Sequence, residues 1–103
     1  MTTVPRKTNG GGEPSGGPYD SLEFPCRFEI KVMGRPSNRF SARVAAIFTR
    51  HLDEREDLLQ VLEKYSRRGR YVSVTYIIRA RRKEQLRAIY LELSRCDMVL
   101  MTL

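Results

Sequence analysis

Arginine is the residue type in this chain with the clearest potential for binding chemistry. Three arginines surround a glycine in the run Arg67–Arg70, and Arg35 and Arg39 follow Gly34. Guanidinium groups bind carboxylates and phosphates through paired N–H donors. A glycine before a helix also lets an anion approach the free N–H groups at the helix N-terminus. The predicted small-anion site comprises Gly34, Arg35, Asn38, Arg39, Arg67, Arg68 and Arg70.

The same residues have a simpler interpretation, which stays open at this point. Gly34 would only end a strand, and the arginines would be solvated groups that keep the chain soluble. The formal net charge is +7, and residues 1–21 hold equal numbers of basic and acidic side chains. The remaining residues therefore carry the whole excess, which favours anionic partners and weak, salt-sensitive adhesion to nucleic acid.

Residue types that support catalysis or metal binding occur without the spacing that such chemistry needs. His51 is the only histidine and falls at the end of a predicted helix, where a cation interacts favourably with the helix dipole. Cys26 and Cys96 lie far apart in sequence without a CxxC pair, which indicates two reduced thiols. No serine or cysteine has an evident base partner. The sequence predicts no enzyme, no metal and no cofactor.

The first folded element is predicted to be a strand with one buried face. Phe28, Ile30 and Val32 alternate with charged residues as far as Gly34, and a period of two is typical of a half-buried strand. A turn follows, with Ser37 or Asn38 as the helix N-cap. The next apolar residues have the spacing of one helix face, and they are Phe40, Val44, Ile47 and Phe48.

The rest of the chain predicts four further elements. The segment Leu58–Ser66 suits a helix or a strand, and we interpret it as an edge strand because a glycine-containing tip and the β-branched segment Tyr71–Arg79 follow it. A helix over about Lys83–Arg95 and a strand over Asp97–Leu103 complete the order β-α-β-β-α-β. Right-handed crossovers then predict an α+β ferredoxin-like sandwich, with a four-stranded antiparallel sheet of order 4-1-3-2 and both helices on one face.

This topology gathers the loop after Gly34, the hairpin tip at Gly69 and the turn before the last strand at one end of the domain, which we call the upper end. Its basic side chains, opposed only by Asp97, are Arg35, Arg39, Arg67, Arg68, Arg70 and Arg95. At the opposite, lower end the acidic run Asp53–Asp57 approaches the basic run Arg79–Lys83. The charges there are expected largely to cancel, so the net excess points to the upper end.

The helix-free, or open, face of the sheet predicts two other kinds of contact. RNA-recognition motifs share this topology and stack bases on two or three aromatic residues of the central strands, whereas this face offers only Tyr71. RNA binding through the basic hairpin and the open face therefore stays the alternative function. An apolar strip on this face predicts a protein interface formed by Met33, Tyr71, Ile77 and Leu100. A monomer and a weak homodimer both remain open.

Several sequence patterns together resemble the YbeD-like family of small uncharacterised bacterial proteins. They are Phe28–Gly34, Gly69–Val74, Tyr90–Asp97 and the terminal Met-Thr-Leu. The resemblance covers about Leu22–Leu103 and implies an ACT-like ferredoxin fold. ACT-type domains commonly bind amino acids at the loop after the first strand, so the resemblance implies a regulatory role without naming a ligand.

These observations lead to one functional hypothesis. Residues 1–21 form a disordered Gly/Pro-rich tail, and residues 22–103 form the domain. The chain has no secretory signal and no apolar run of about 20 residues, so we expect a soluble cytoplasmic protein without a membrane partner. We expect a non-enzymatic regulatory or protein-interaction domain, whose partner is a small anion or another protein.

Overall fold

The computed structural model describes residues 19–103, and residues 1–18 of the predicted tail lie outside the described part of the chain. The elements are β1 (Cys26–Gly34), α1 (Asn38–His51), β2 (Leu58–Tyr65), β3 (Val72–Ala80), α2 (Lys83–Ser94) and β4 (Val99–Thr102). A single 3-10 turn, Arg55–Asp57, joins α1 to β2. The predicted order of elements is confirmed, including the assignment of the ambiguous segment from Leu58 as a strand.

The four strands form one antiparallel sheet with the spatial order β2-β3-β1-β4. This is the predicted sheet read from its other edge. β1 lies centrally and pairs with β3 along its whole length, from Cys26 opposite Ala80 to Gly34 opposite Val72. β2 pairs only with β3, with Val61 opposite Tyr76 and Tyr65 opposite Val72. β2 and β4 are therefore the two edges of the sheet.

The core lies between one face of the sheet and the two helices. Ile30 and Val32 of β1 are fully buried, and the Phe48 ring of α1 stacks on Tyr76 of β3 with 4.0 Å between ring centroids. The buried residues of the helices are Phe40, Val44, Ile47 and Phe48 of α1 and Leu86, Ile89 and Leu93 of α2. Each such side chain contributes roughly 1.5–3 kcal/mol by leaving water, which holds both helices on one face.

The folded part of the chain begins before the predicted boundary at Leu22. The Tyr19 ring lies 6.2 Å from the Tyr90 ring and 6.1 Å from the Phe28 ring, measured between centroids. Lys83 Nζ lies 3.1 Å from Asp20 Oδ1. The aromatic contacts and the ion pair therefore join at least Tyr19 and Asp20 to the domain.

Candidate functional site

The upper end assembles as the topology predicted. Because Gly34 lies opposite Val72, the loop after β1 and the tip of the β2–β3 hairpin are neighbours. Arg35 of the loop lies over the Tyr71 ring of the hairpin, with its Cζ 5.9 Å from the ring centroid. A guanidinium at this distance is attracted by the negative face of the ring. The contact ties the two basic segments together.

Backbone hydrogen bonds hold the hairpin tip in a defined turn. Ser66 N donates to Tyr71 O at 2.9 Å, Tyr71 N donates to Ser66 Oγ at 3.0 Å, and Gly69 N donates to Ser66 O at 2.9 Å. Gly69 has φ +69°, a left-handed conformation that glycine adopts without steric cost. The arginines of the tip, which are Arg67, Arg68 and Arg70, are exposed on this ordered turn.

The charges of the lower end largely cancel, as predicted. Asp57 is 1% exposed, and Arg81 donates to both of its carboxylate oxygens, from Nε at 2.8 Å and from Nη2 at 2.9 Å. These hydrogen bonds lower the pKa of Asp57 below its ordinary value, against the opposing effect of burial. Arg82 forms a similar two-pronged contact with Asp53. Arg81 and Arg82 therefore neutralise Asp53 and Asp57, whereas four further charged residues of the lower end, whose charges cancel, have no ion-pair partner among residues 19–103: Glu54, Arg55, Glu56 and Arg79.

The arginines of the upper end are not neutralised in this way. Within residues 19–103, no acidic side chain lies within ion-pair distance of the arginines of the predicted site, which are Arg35, Arg39, Arg67, Arg68 and Arg70. Asp97 lies 4.0 Å from Arg43 instead. Because the charges of the lower end cancel and the arginines of the upper end have no acidic partner, the upper end of the domain is positive.

Ser37, one of the two predicted N-cap residues, caps α1. Its Oγ accepts from Phe40 N at 3.0 Å, while Asn38 is the exposed first residue of the helix. Gly34 is buried, and a Cβ built on it would lie 2.3 Å from Cε1 of Phe40. Gly34 is therefore required here for close packing of the Phe40 ring, and the approach of a ligand to its backbone stays a prediction.

The apolar strip on the open face has a different member from the predicted one, because Met101, which is 51% exposed, lies opposite Met33, whereas Leu100 lies at the register shift between β1 and β4. Ile77 lies on this face but is only 3% exposed, so it adds little contact area. Met33 is half-buried, whereas Tyr71 and Leu100 are exposed. Tyr71 precedes β3, and the open-face positions of β1 and β3 hold no aromatic residue. The two central strands therefore offer no stacking platform for RNA bases.

A groove between α1 and α2 is the feature that sequence reasoning missed. His51 Nε2 lies 2.7 Å from Glu92 Oε1 at its edge, and Arg50 contacts the other oxygen of the same carboxylate. Hydrogen bonds from Arg50 first and His51 second lower the pKa of Glu92. The groove is lined by Arg43, Ile47, Arg50, His51, Ala88, Leu91, Glu92, Arg95 and Cys96. The spacing within each helix could not reveal which residues of the two helices face each other.

The two cysteines are free thiols, with Cys26 half-buried and Cys96 buried. Among residues 19–103, no group of three or more His, Cys, Asp or Glu side chains is arranged to hold a metal ion. No helix in the same part of the chain is long and apolar enough to cross a membrane.

The α+β topology and the antiparallel sheet give this chain a fold similar to that of ACT domains. The ACT domain from GTP pyrophosphokinase of Chlorobium tepidum superposes with a TM-score of 0.60 at 10% identity, over 75% of this chain and 94% of that one. Protein HP0495 from H. pylori superposes with a TM-score of 0.61 at 17% identity, over 91% of this chain and 98% of that one. At these identities the likeness shows the fold alone.

The chain belongs to the family described as protein of unknown function (DUF493), whose model matches residues 20–103. Its relatives include a UPF0250 protein of Azotobacter vinelandii, 39% identical over 83 residues that span 80% of this chain and 89% of the relative. A UPF0250 protein of Vibrio cholerae is 38% identical over 84 residues, which span 82% and 88% of the two chains. The predicted resemblance is therefore confirmed, and the relatives are bacterial.

Proposed function

We propose that this protein is a non-enzymatic regulatory domain that binds an anionic group, a phosphate or a carboxylate, at its upper end. The observation that carries the proposal is the contrast in pairing between the two ends. Arg81 and Arg82 at the lower end have carboxylate partners, whereas the upper-end arginines have none among the described residues. A cluster of unpaired guanidinium groups attracts anions and provides the geometry to bind them.

The two basic segments of the upper end are held in defined positions, which also supports the proposal. The hairpin tip is fixed by its own hydrogen bonds, and the stacking of Arg35 on Tyr71 links the loop to it. The turn fixes the backbone that bears the tip arginines, and the contact with Tyr71 restricts the Arg35 side chain, so less conformational entropy is lost on binding. In this proposal the arginine side chains of the loop and tip bind the anion, and no contact with the backbone of Gly34 is required.

A regulatory role agrees with the kind of protein that shares the fold. One structural neighbour is the ACT domain from an enzyme, GTP pyrophosphokinase, which shows that this architecture occurs as a separate domain beside a catalytic one. Among residues 19–103, His51 hydrogen-bonds to Glu92, and no hydrogen bond joins it to a serine or cysteine side chain that it could activate. Binding without chemistry is the function that this geometry supports best.

The proposal is tested by titrating the full chain with inorganic phosphate, pyrophosphate and glutamate while amide chemical shifts are recorded. We expect shifts concentrated at residues 35–39 and 67–71. Arg68→Ala should weaken binding by about tenfold, because a hydrogen bond to a charged group contributes about 1.5–3 kcal/mol. Arg79→Ala is the matched control, since Arg79 is an exposed arginine at the lower end and its removal changes the net charge equally.

Two results would overturn the proposal. Equal weakening by Arg68→Ala and Arg79→Ala would mean that the chain attracts anions only through its net charge. Saturable binding of single-stranded RNA that is lost in Tyr71→Ala would favour the alternative, in which a base stacks on that ring. RNA binding that only falls with rising salt would be adhesion to a basic surface.

A further inference from the structure

The edge strand β2 is exposed along its whole length. All eight of its residues are exposed, and five of them are large and apolar. They are Leu58, Leu59, Val61, Leu62 and Tyr65, which are 38–55% exposed. Within residues 19–103, neither helix covers the core side of this strand, and no further strand lies beside its outer backbone edge. Proteins usually shield such an edge with charges, proline or a covering segment.

We propose that two copies of this chain pair through their β2 strands, antiparallel, about a two-fold axis at Leu62. The pairing joins two four-stranded sheets into one continuous sheet. Residues that face each other in an antiparallel pair lie on the same side of the sheet. The helices of both copies then share one side, and the exposed apolar side chains of β2 are covered on both faces.

Charge complementarity along the chain identifies a second copy as the occupant. β2 is preceded by Glu54, Arg55 and Glu56, whose net charge is −1, and followed by three arginines, Arg67, Arg68 and Arg70. An antiparallel pair brings the acidic start of one strand to the basic end of the other, at both ends of the interface. A parallel pair would oppose like charges.

The position of the axis follows from the residues of β2 itself. With the axis at Leu62, Gln60 faces Lys64 of the second copy and Val61 faces Glu63 of the second copy. Glu56 and Arg68 lie in turns just beyond the strand ends, so this register brings the acidic flank of one copy near the basic flank of the other. An axis at Glu63 or at Lys64 would place two like charges directly opposite each other, which destabilises a pair.

The flanking charges are available for this contact. Glu54 and Glu56 are exposed and form no ion pair with a described residue, in contrast to Asp53 and Asp57, which Arg82 and Arg81 already bind. The strand between the flanks holds one acidic and one basic side chain, Glu63 and Lys64. The opposed flanks attract each other across the interface, and this attraction offsets part of the +2 charge that the unpaired side chains of residues 54–70 leave on each copy.

Sedimentation of the full chain across a range of concentrations tests the proposal. We expect the mass to rise from 12.0 kDa toward twice that value. Leu62→Glu places two carboxylates face to face at the axis, so the dimer Kd should rise by at least about tenfold. Leu91→Glu is the matched control, because Leu91 is 51% exposed on α2 and lies away from the proposed interface. Circular dichroism verifies that both variants are folded.

A charge exchange tests the register and the orientation. Reversal of Glu54 and Glu56 to lysine should raise the dimer Kd, because like charges then meet at both ends. The additional exchange of Arg67 and Arg68 to glutamate in the same chain should lower the dimer Kd again, because opposite charges then face each other. A constant monomer mass, a dimer indifferent to Leu62→Glu, or a failure of the second exchange to restore pairing would each overturn the proposal. Capture of an extended peptide by β2 of a monomer would show a different occupant.

Anion binding at the upper end is a separate claim and can fail separately. Leu62→Glu leaves every upper-end arginine in place, so it should change the sedimenting mass without removing the phosphate-induced shifts of Arg35. Loss of the phosphate-induced shifts of residues 67–71 in Arg35→Ala, with the mass unchanged, would support the anion site without bearing on the dimer.

Discussion

Replacement of Gly34 by alanine tests the packing at the start of the loop. The new Cβ would lie 2.3 Å from Cε1 of Phe40 and 2.7 Å from Cδ1 and Cζ, whereas carbon atoms in favourable contact are about 3.5–4.0 Å apart. Phe40 is fully buried, so its ring can yield only by moving its neighbours. Overpacking of this kind costs about 1–3 kcal/mol.

Two effects combine in the expected change in stability. Alanine loses less backbone entropy than glycine on folding, which returns roughly 0.5–1 kcal/mol. The overlap with the ring is more than an ångström and places this site at the severe end of the range. We expect Gly34→Ala to lower the free energy of unfolding by about 2 kcal/mol, which corresponds to a fall in Tm of roughly 8–16 °C for a domain of this size.

Chemical denaturation of a double-mutant cycle measures whether the ring is the cause. Phe40→Leu removes the atoms that the new Cβ meets, so the loss in Gly34→Ala/Phe40→Leu should be smaller than the sum of the single losses by about 1 kcal/mol or more. Gly69→Ala is the control glycine, because a Cβ there meets nothing within 4 Å and only the positive φ opposes it. Additive losses at Gly34 and Phe40, or an unchanged stability in Gly34→Ala, would refute the packing argument.

Two further changes test a helix cap and the core, and a third tests the lower-end charges. Ser37→Ala removes the acceptor for Phe40 N and should cost about 1 kcal/mol, whereas Asn38→Ala should be nearly neutral in the same urea titration. Phe48→Ala leaves a cavity against Tyr76 and should cost about 3–5 kcal/mol, measured by the same method. Asp57 has a pKa below its ordinary value of 3.8. Its ion pair therefore stabilises the fold above that pH and is lost as the pH falls through the folded-state pKa. The free energy of unfolding from urea titrations should fall less between pH 5 and pH 3 in Asp57→Asn than in the unsubstituted protein.

Much of the fold could be predicted because the chain shows clear hydrophobic periods. The alternation around Ile30 and the helical stripe from Phe40 to Phe48 each have a single structural interpretation. The segment that forms β2 had two possible interpretations, because its leucines fit a helix as well as a strand. Only the strong strand that follows it, and the turn at Gly69, decided between them.

The exposure of β2 could not be predicted from its composition. Leu58, Leu59, Val61 and Leu62 are residue types that normally lie in a core, and their exposure depends on how far the two helices extend across the sheet. The role of Gly34 in packing against Phe40 was missed for a related reason. A glycine at the end of a strand fits close approach by a ligand or by a side chain, and only the fold shows that Phe40 occupies the space.

The positive upper end was accessible to prediction, because strand direction alone places Gly34 beside the hairpin tip. The contacts between helices were not. His51 and Glu92 lie 41 positions apart, and neither residue type nor spacing pairs them. Sequence reasoning thus located the candidate site through topology and missed the groove, whose lining depends on the relative position of two helices.

The two proposals share the hairpin tip, and this has a thermodynamic consequence. Arg67 and Arg68 would face an anion in one case and the acidic flank of a second copy in the other. If both events use the same guanidinium groups, they compete, and each must weaken the other by the same factor because coupling between binding free energies is reciprocal. An anion at the tip would therefore shift the protein toward monomers. The charge asymmetry around β2 would then make the oligomeric state of the domain depend on the concentration of its ligand.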